Sequence, residues 1–135
     1  MPELEFRQSY QYESNDRNGI VIPVTLRLGD AQVNLDAKLD TGAEHCLFQR
    51  DYGEILGLTV EEGRRMAFRT VNSEVVAFGH ELSMEVLDID FDLLVYIYES
   101  RDMNRSLLGR TGWLSKVRLG LVDYDSRLLL SHYDD

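Results

Sequence analysis

Apolar and polar positions alternate over most of this chain, and the alternation changes phase only at a few turn-forming clusters. Leu4, Phe6, Gln8, Tyr10 and Tyr12 fall on alternate positions among charged and polar neighbours, which predicts an N-terminal strand or arm within residues 1–18. After the turn-forming stretch Ser14 to Gly19, the residues Ile20, Ile22, Val24, Leu26 and Leu28 fill one face of a long strand. Gly29-Asp30 then makes a two-residue hairpin into a second run, Val33, Leu35, Ala37 and Leu39. Between Gln49 and Leu58 the period lengthens. Tyr52, Ile55 and Leu56 recur at helical spacing and Gly57 supplies a stop, so a short helix is expected.

Alternation resumes at Met66. Met66 to Thr70 and Glu74 to Val86 read as the arms of a second hairpin, with Val76, Phe78, His80, Leu82, Met84 and Val86 in one phase and a polar tip at Val71, Asn72 and Ser73. Ile89, Phe91 and Leu93 interleave with Asp88, Asp90 and Asp92 and run on into Leu94 to Tyr98. A short helix is expected over Thr111 to Val117, with Trp113, Leu114 and Val117 inward. Two closing strands follow, Arg118 to Asp125 and Arg127 to Leu130, whose apolar residues suit an intersubunit sheet. Strands dominate this pattern, so the expected class is mainly β with one or two short helices.

Composition narrows the class. The 135 residues are 44% hydrophobic, enough for a real core, and 2 Pro and 10 Gly without any biased tract predict one domain over residues 1–135. A formal charge of −10 opposes nucleic acid and anionic membranes as partners. No apolar run is long enough to span a bilayer, and Met1 to Glu5 lacks the features of a signal peptide, so a cytoplasmic location is expected. The single cysteine, Cys46, agrees with a reducing compartment and sits in an apolar context suited to packing. Its neighbour His45 is badly placed as a base, because adjacent residues of a strand point to opposite faces.

Metal chemistry finds little support. Asp88, Asp90, Asp92 and Glu99 match four positions of a calcium loop, but Leu93 stands where that loop needs glycine. His80 and His132 lack the spacing of a zinc pair. No metal and no cofactor are expected.

The chemistry concentrates at Leu39, Asp40, Thr41, Gly42 and Ala43. An aspartate in a glycine-containing turn at the end of a strand is held rigidly while facing a cleft, which suits an acid or base catalyst. Hydrolysis of an amide by water alone favours two adjacent carboxyls that share a proton, one as base and one as acid. No second Asp-Thr-Gly or Asp-Ser-Gly triplet occurs in the chain, so the partner carboxylate must come from a second copy.

Three segments in order carry a family resemblance. Ala31 to Phe48 (AQVNLDAKLDTGAEHCLF) resembles the active-site segment of retropepsin-like aspartic proteases, Phe68 to His80 (FRTVNSEVVAFGH) their mobile flap hairpin, and Leu107 to Arg110 (LLGR) the element before their C-terminal helix. The likeness spans roughly Gly19 to Ser131 and is nearest to stand-alone bacterial members. It implies a closed-barrel, acid-protease domain acting as a homodimer on an extended peptide or protein substrate. Asp40 is then the catalytic carboxylate, Thr41 braces the two turns against each other, and Gly42 lets the turn approach substrate. Ala43, Thr70, Val71 and Asn72 would contact substrate, and Arg110 would pair with Glu44 to support the site. The viral flap is glycine-rich, whereas Thr70, Val71, Asn72 and Ser73 at this tip include no glycine. The alternatives are a non-proteolytic retropepsin-like binding or dimerisation module and, more distantly, a β-barrel ligand carrier.

Overall fold

A computed structural model describes residues 2–69 and 71–135. Six strands close on themselves. In chain order they are β2 (Val21–Leu28), β3 (Ala31–Leu39), β4 (Leu47–Phe48), β6 (Glu74–Val86), β7 (Ile89–Tyr98) and β8 (Leu107–Leu108), and around the ring they run β2-β3-β8-β4-β7-β6, with β6 returning to β2. The closing pair is antiparallel, with Val24 opposite Val86 and Leu26 opposite Met84. Closure leaves few strand edges to aggregate and encloses an apolar interior. Ile22, Val24 and Leu26 point inward from β2, as their alternation requires, and fully burying each contributes roughly 1.5–3 kcal/mol. They meet Leu35, Phe48, Met84, Val95, Ile97, Leu108 and Trp113 in the main core.

Two hairpins define the ring. Gly29, at φ 58°, opens the turn between β2 and β3. The turn between β6 and β7 has only Leu87 and Asp88, both at positive φ (49° and 64°), with Val86 facing Ile89 across the neck. That geometry matches the right-handed twist of the strands it joins, although neither residue is the glycine or asparagine that such turns favour. Asp90 and Asp92 lie on the outer face of β7, where Arg27 Nη1 approaches Asp90 at 3.6 Å and the Ser83 hydroxyl donates to Asp92 at 2.8 Å.

The strand β5 (Arg64–Arg69) pairs with β6 outside the ring, Arg69 facing Glu74. Residues 71–73 at the tip are exposed, Val71 by 99%. Thr70, assigned a substrate contact from the sequence, lies outside the described residues. Under the hairpin is a second apolar cluster of Ala77, Tyr96 and Tyr98, on which Leu47, Met66, Phe68 and Val75 pack.

The helix α1 (Arg50–Ile55) is shorter than the expected Gln49 to Leu58, and its inward face differs. Ile55 is 59% exposed; Tyr52, Gly53 and Leu56 face the barrel instead. Gly53 is the cause, since a Cβ there would come within 2.9 Å of Ile97 Cγ2, and its absence lets the helix settle against β7. Gly57 ends the helix at φ 86°, as expected. The expected helix over Thr111 to Val117 shrinks to one 3-10 turn, Leu114–Lys116. Trp113 is buried as predicted, and Leu114 and Val117 are half-buried.

The chain ends join in a separate three-stranded sheet ordered β1-β10-β9, built from β1 (Gln8–Gln11), β9 (Val117–Val122) and β10 (Arg127–His132). The strand expected to reach Asp125 stops at Val122, because a 3-10 turn over Asp123–Asp125 and Ser126 at φ 52° reverse the chain. Among the described residues no helix is long and apolar enough to cross a membrane.

Candidate active site

Asp40 follows directly on β3, whose last residues Lys38 and Leu39 pair in parallel with Leu107 and Leu108 of β8. The Asp40 N–H donates to the Leu108 carbonyl at 3.0 Å, so the ladder extends to the aspartate itself. Beyond it the chain turns at once. The Ala43 N–H donates to the Asp40 carbonyl at 3.1 Å, and the Gly42 N–H donates to Asp40 Oδ1 at 3.0 Å. A side chain that accepts from the backbone two residues on is the usual way an aspartate fixes a turn. Here it also orients a half-buried carboxylate whose Oδ2 accepts no hydrogen bond among the described residues. A Cβ on residue 42 would stand 3.3 Å from Oδ1, so glycine suits the position.

The turn is clamped from behind by residues 109–115. Gly109 touches the loop so closely that a Cβ there would meet the His45 carbonyl oxygen at 2.2 Å and the Ala43 carbonyl oxygen at 2.8 Å. The N–H groups of Arg110 and Thr111 donate to the carbonyls of Ala43 and Glu44 at 2.9 and 2.7 Å. Leu114 and Ser115 in turn donate to the carbonyls of Gly109 and Arg110, tying the clamp to the 3-10 turn. Behind both segments lies Cys46, fully buried, whose sulfur accepts the Gly109 N–H at 3.4 Å. Burial pushes its thiol up to about 11 despite that hydrogen bond, which suits packing and not nucleophilic attack.

The side-chain pairing expected of Arg110 and Glu44 is not made. Among the described residues no ion pair joins them, and the Glu44 carboxylate instead lies 3.9 Å from His45 Nε2. Backbone hydrogen bonds hold the two segments together, so both exposed side chains are left to line an open cleft of about 580 Å³ with Gly42, Thr111, Leu114 and Ser115. A comparable cleft of about 530 Å³, lined by Arg27, Glu81, Asp92 and Lys116 among others, includes no residue of the Asp40 turn.

Sequence reasoning missed an aromatic wall beside the turn. The His45 ring lies 4.7 Å from that of Tyr96 and 6.1 Å from that of Phe68, linking the Asp40 loop to β7 and to the hairpin strand β5. Tyr98 is buried nearby, and burial together with the charge of Asp40 pushes its phenol up to about 12, so it stays a neutral hydroxyl. The signal was present in the sequence, since Val95 to Tyr98 are apolar at every position, the mark of a strand covered on both faces. The assigned residues Asp40, Thr41, Gly42 and Ala43 share one turn, whereas Val71 and Asn72 stand apart at the hairpin tip.

Residues 22–111 match the family described as Aspartyl protease, a span that runs from the first inward residue of β2 to Thr111 in the clamp. The fold is similar to that of a retropepsin-like aspartic protease from Rickettsia conorii, with a TM-score of 0.67 and 20% identity over 96% of this chain and 100% of that one. It is similar also to EIAV protease in complex with the inhibitor HBY-793, with a TM-score of 0.55 and 18% identity over 71% and 86% of the two chains. No curated protein matches the sequence. With the Asp-Thr-Gly turn and the Gly109–Thr111 segment that holds it inside the matched span, the chain belongs to the aspartyl protease family and is an aspartic-type endopeptidase of retropepsin-like fold.

Proposed function

We propose that two copies of the chain, each one retropepsin-like domain, form a single active site in which the Asp40 carboxylates face each other across a bound water. One carboxylate takes a proton from that water while the other, protonated, donates to the substrate carbonyl oxygen. Two adjacent carboxyls cannot both ionise cheaply, so the pair holds one proton and both roles are filled at once. The observation that carries this reading is the Asp40 turn: backbone and Oδ1 are fixed by three hydrogen bonds, and Oδ2 accepts none among the described residues. Supporting it, the exposed Thr41 hydroxyl makes no hydrogen bond among the described residues, which leaves it available to brace the second copy's turn. Gly42 and Ala43 give the substrate backbone a close approach, and Val71 and Asn72 cover it from the hairpin tip. Thr70 joins them in this reading by its place in the sequence alone. Arg110 and Glu44 support the site through the backbone clamp. The substrate is an extended peptide, bound by main-chain hydrogen bonds with its side chains against the half-buried rings of His45 and Phe68.

The test is a diverse peptide library incubated with the parent and with Asp40→Asn. The variant keeps the shape of the side chain and removes proton exchange, so cleavage is expected from the parent only. Equal cleavage by both removes Asp40 from the mechanism. A parent that dimerises and binds peptides without cutting them is the non-proteolytic module. Specific activity should also fall on dilution into the monomer range, because one chain holds one such carboxylate.

A further inference from the structure

The hydrogen-bond phase of the outlying hairpin shows what its free edge offers. The Glu99 N–H donates to the Val76 carbonyl at 2.9 Å, so the backbone groups of Val76 serve β7, and those of Val75, Ala77 and Gly79 serve β5. Across the β5/β6 register, these three face Phe68, Met66 and Arg64. The N–H and C=O of Arg65, Ala67 and Arg69 therefore point outward, where no strand lies beyond β5 among the described residues. Side chains alternate as well. Met66 and Phe68 pack on the cluster of Ala77, Tyr96 and Tyr98, and the Phe68 ring lies 6.1 Å from that of His45. Arg65, Ala67 and Arg69 share the opposite face and are all exposed.

Charge then decides what this edge can take. Arg7, Arg27, Arg50 and Arg101 each reach a carboxylate, as expected in a chain with 24 acidic residues against 14 basic ones. Arg65 and Arg69 reach none among the described residues, although Glu74 stands directly across from Arg69. Between them the small side chain of Ala67 leaves a gap. The two cations also keep one β5 edge from pairing with another, which leaves the edge vacant for a strand of opposite charge. We propose that β5 takes an extended stretch of substrate as an added strand and seats an aspartate or glutamate opposite Ala67, between Arg65 and Arg69. Directly opposed residues share a face, and diagonal neighbours are about 7–8 Å apart, within reach of arginine. The substrate residues on either side of the carboxylate fall on the other face, beside Phe68 and His45, so the pattern selected is apolar, acidic, apolar. Salt screens the net charge of −10 beyond about 8 Å, so the nearby cations set the preference. This proposal rests on the reading of Asp40 as the hydrolytic site, because the contact of His45 with Phe68 is what sets β5 beside the Asp40 loop.

The experiment uses the Asp40→Asn protein, in which peptides stay intact, and follows the fluorescence anisotropy of two labelled nonapeptides. One alternates valine with glutamate and the other valine with lysine. The glutamate peptide is expected to bind about tenfold more tightly, equivalent to about 1.4 kcal/mol. Adding Arg65→Gln or Arg69→Gln should each reduce that preference, both together should remove it, and Arg65→Glu with Arg69→Glu should reverse it. Arg127→Gln, which removes the same charge from an exposed position on β10, should leave it unchanged. Equal binding of the two peptides, no binding of either, or a preference that survives the double change to glutamine overturns the β5 site. Cleavage of a diverse library by the parent without enrichment of Asp or Glu near the cut overturns the selectivity and leaves hydrolysis at Asp40 standing. A preference that behaves as expected in a protein whose parent cuts nothing keeps the β5 site and overturns the hydrolytic reading.

Discussion

Gly109 and His45 are in backbone contact: a single Cβ added at 109 would overlap the His45 carbonyl oxygen at 2.2 Å. Their segments are 64 residues apart in sequence, yet the position of the Asp40 turn depends on how closely they approach. The Gly-Arg element is thus a spacer of zero width against which the Asp40 loop rests, with Arg110 and Thr111 hydrogen-bonded to that loop on the next two positions.

Gly109→Ala should therefore damage the site more than the fold. Backbone atoms on both sides must shift, which costs about 1–3 kcal/mol as overpacking usually does. Displacing the Asp40 turn by about 1 Å is expected to lower kcat/KM by roughly 100-fold. Thermal unfolding and peptide cleavage measured on one preparation check both; unchanged turnover would show that the contact does not position the turn.

Cys46 should be unreactive in the folded protein. Its thiol is fully buried and pushed up from 9.0 to about 11, so the thiolate fraction near neutral pH falls roughly 100-fold, before steric exclusion is counted. Iodoacetamide labelling followed by mass spectrometry is expected to be negligible in buffer and complete in denaturant. Rapid labelling in buffer would mean that the clamp opens readily.

The surface beside α1 should be acid-sensitive. Arg50 pairs with Glu54 at 3.3 Å and with Glu61 at 2.5 Å, and Arg101 joins Asp51 and Glu54 at 2.7 and 2.6 Å. Hydrogen bonds from Arg101 hold Glu54, and those from Arg50 hold Glu61, below the ordinary carboxylate range. Carboxyls lowered in the folded state stabilise it fully above their unfolded values and lose that contribution as pH falls through the lowered folded ones. Tm should thus decline on acidification below about pH 5, with a shallower slope in Arg50→Gln. Parallel slopes for parent and variant would show that the network contributes nothing.

The β6/β7 turn is open to improvement. Asp88 sits at φ 64°, a conformation that glycine adopts without the steric cost borne by other residues. Asp88→Gly is expected to raise Tm by about 1–3 °C. A lower Tm would show that the aspartate offsets its own strain.

Local chemistry made much of this protein legible in advance. The alternation of Ile22, Val24 and Leu26 specified an inward strand face, Gly29-Asp30 and Gly57 marked a turn and a helix end, and Asp40 to Gly42 dictated a turn in which a carboxylate is oriented by its own neighbours. These features act within a few residues, where sequence and geometry are directly coupled. Contacts between distant segments were not legible. Gly53 against Ile97 decided which side of α1 is buried, and the straps from Leu114 and Ser115 to Gly109 and Arg110 replaced an expected helix with a single 3-10 turn. Main-chain hydrogen bonds took the place of the Arg110–Glu44 ion pair. Such outcomes depend on how closely two backbones approach, a distance no single segment encodes; the sequence by itself determined the strands and the acid-bearing turn, and tertiary packing decided what holds that turn in place.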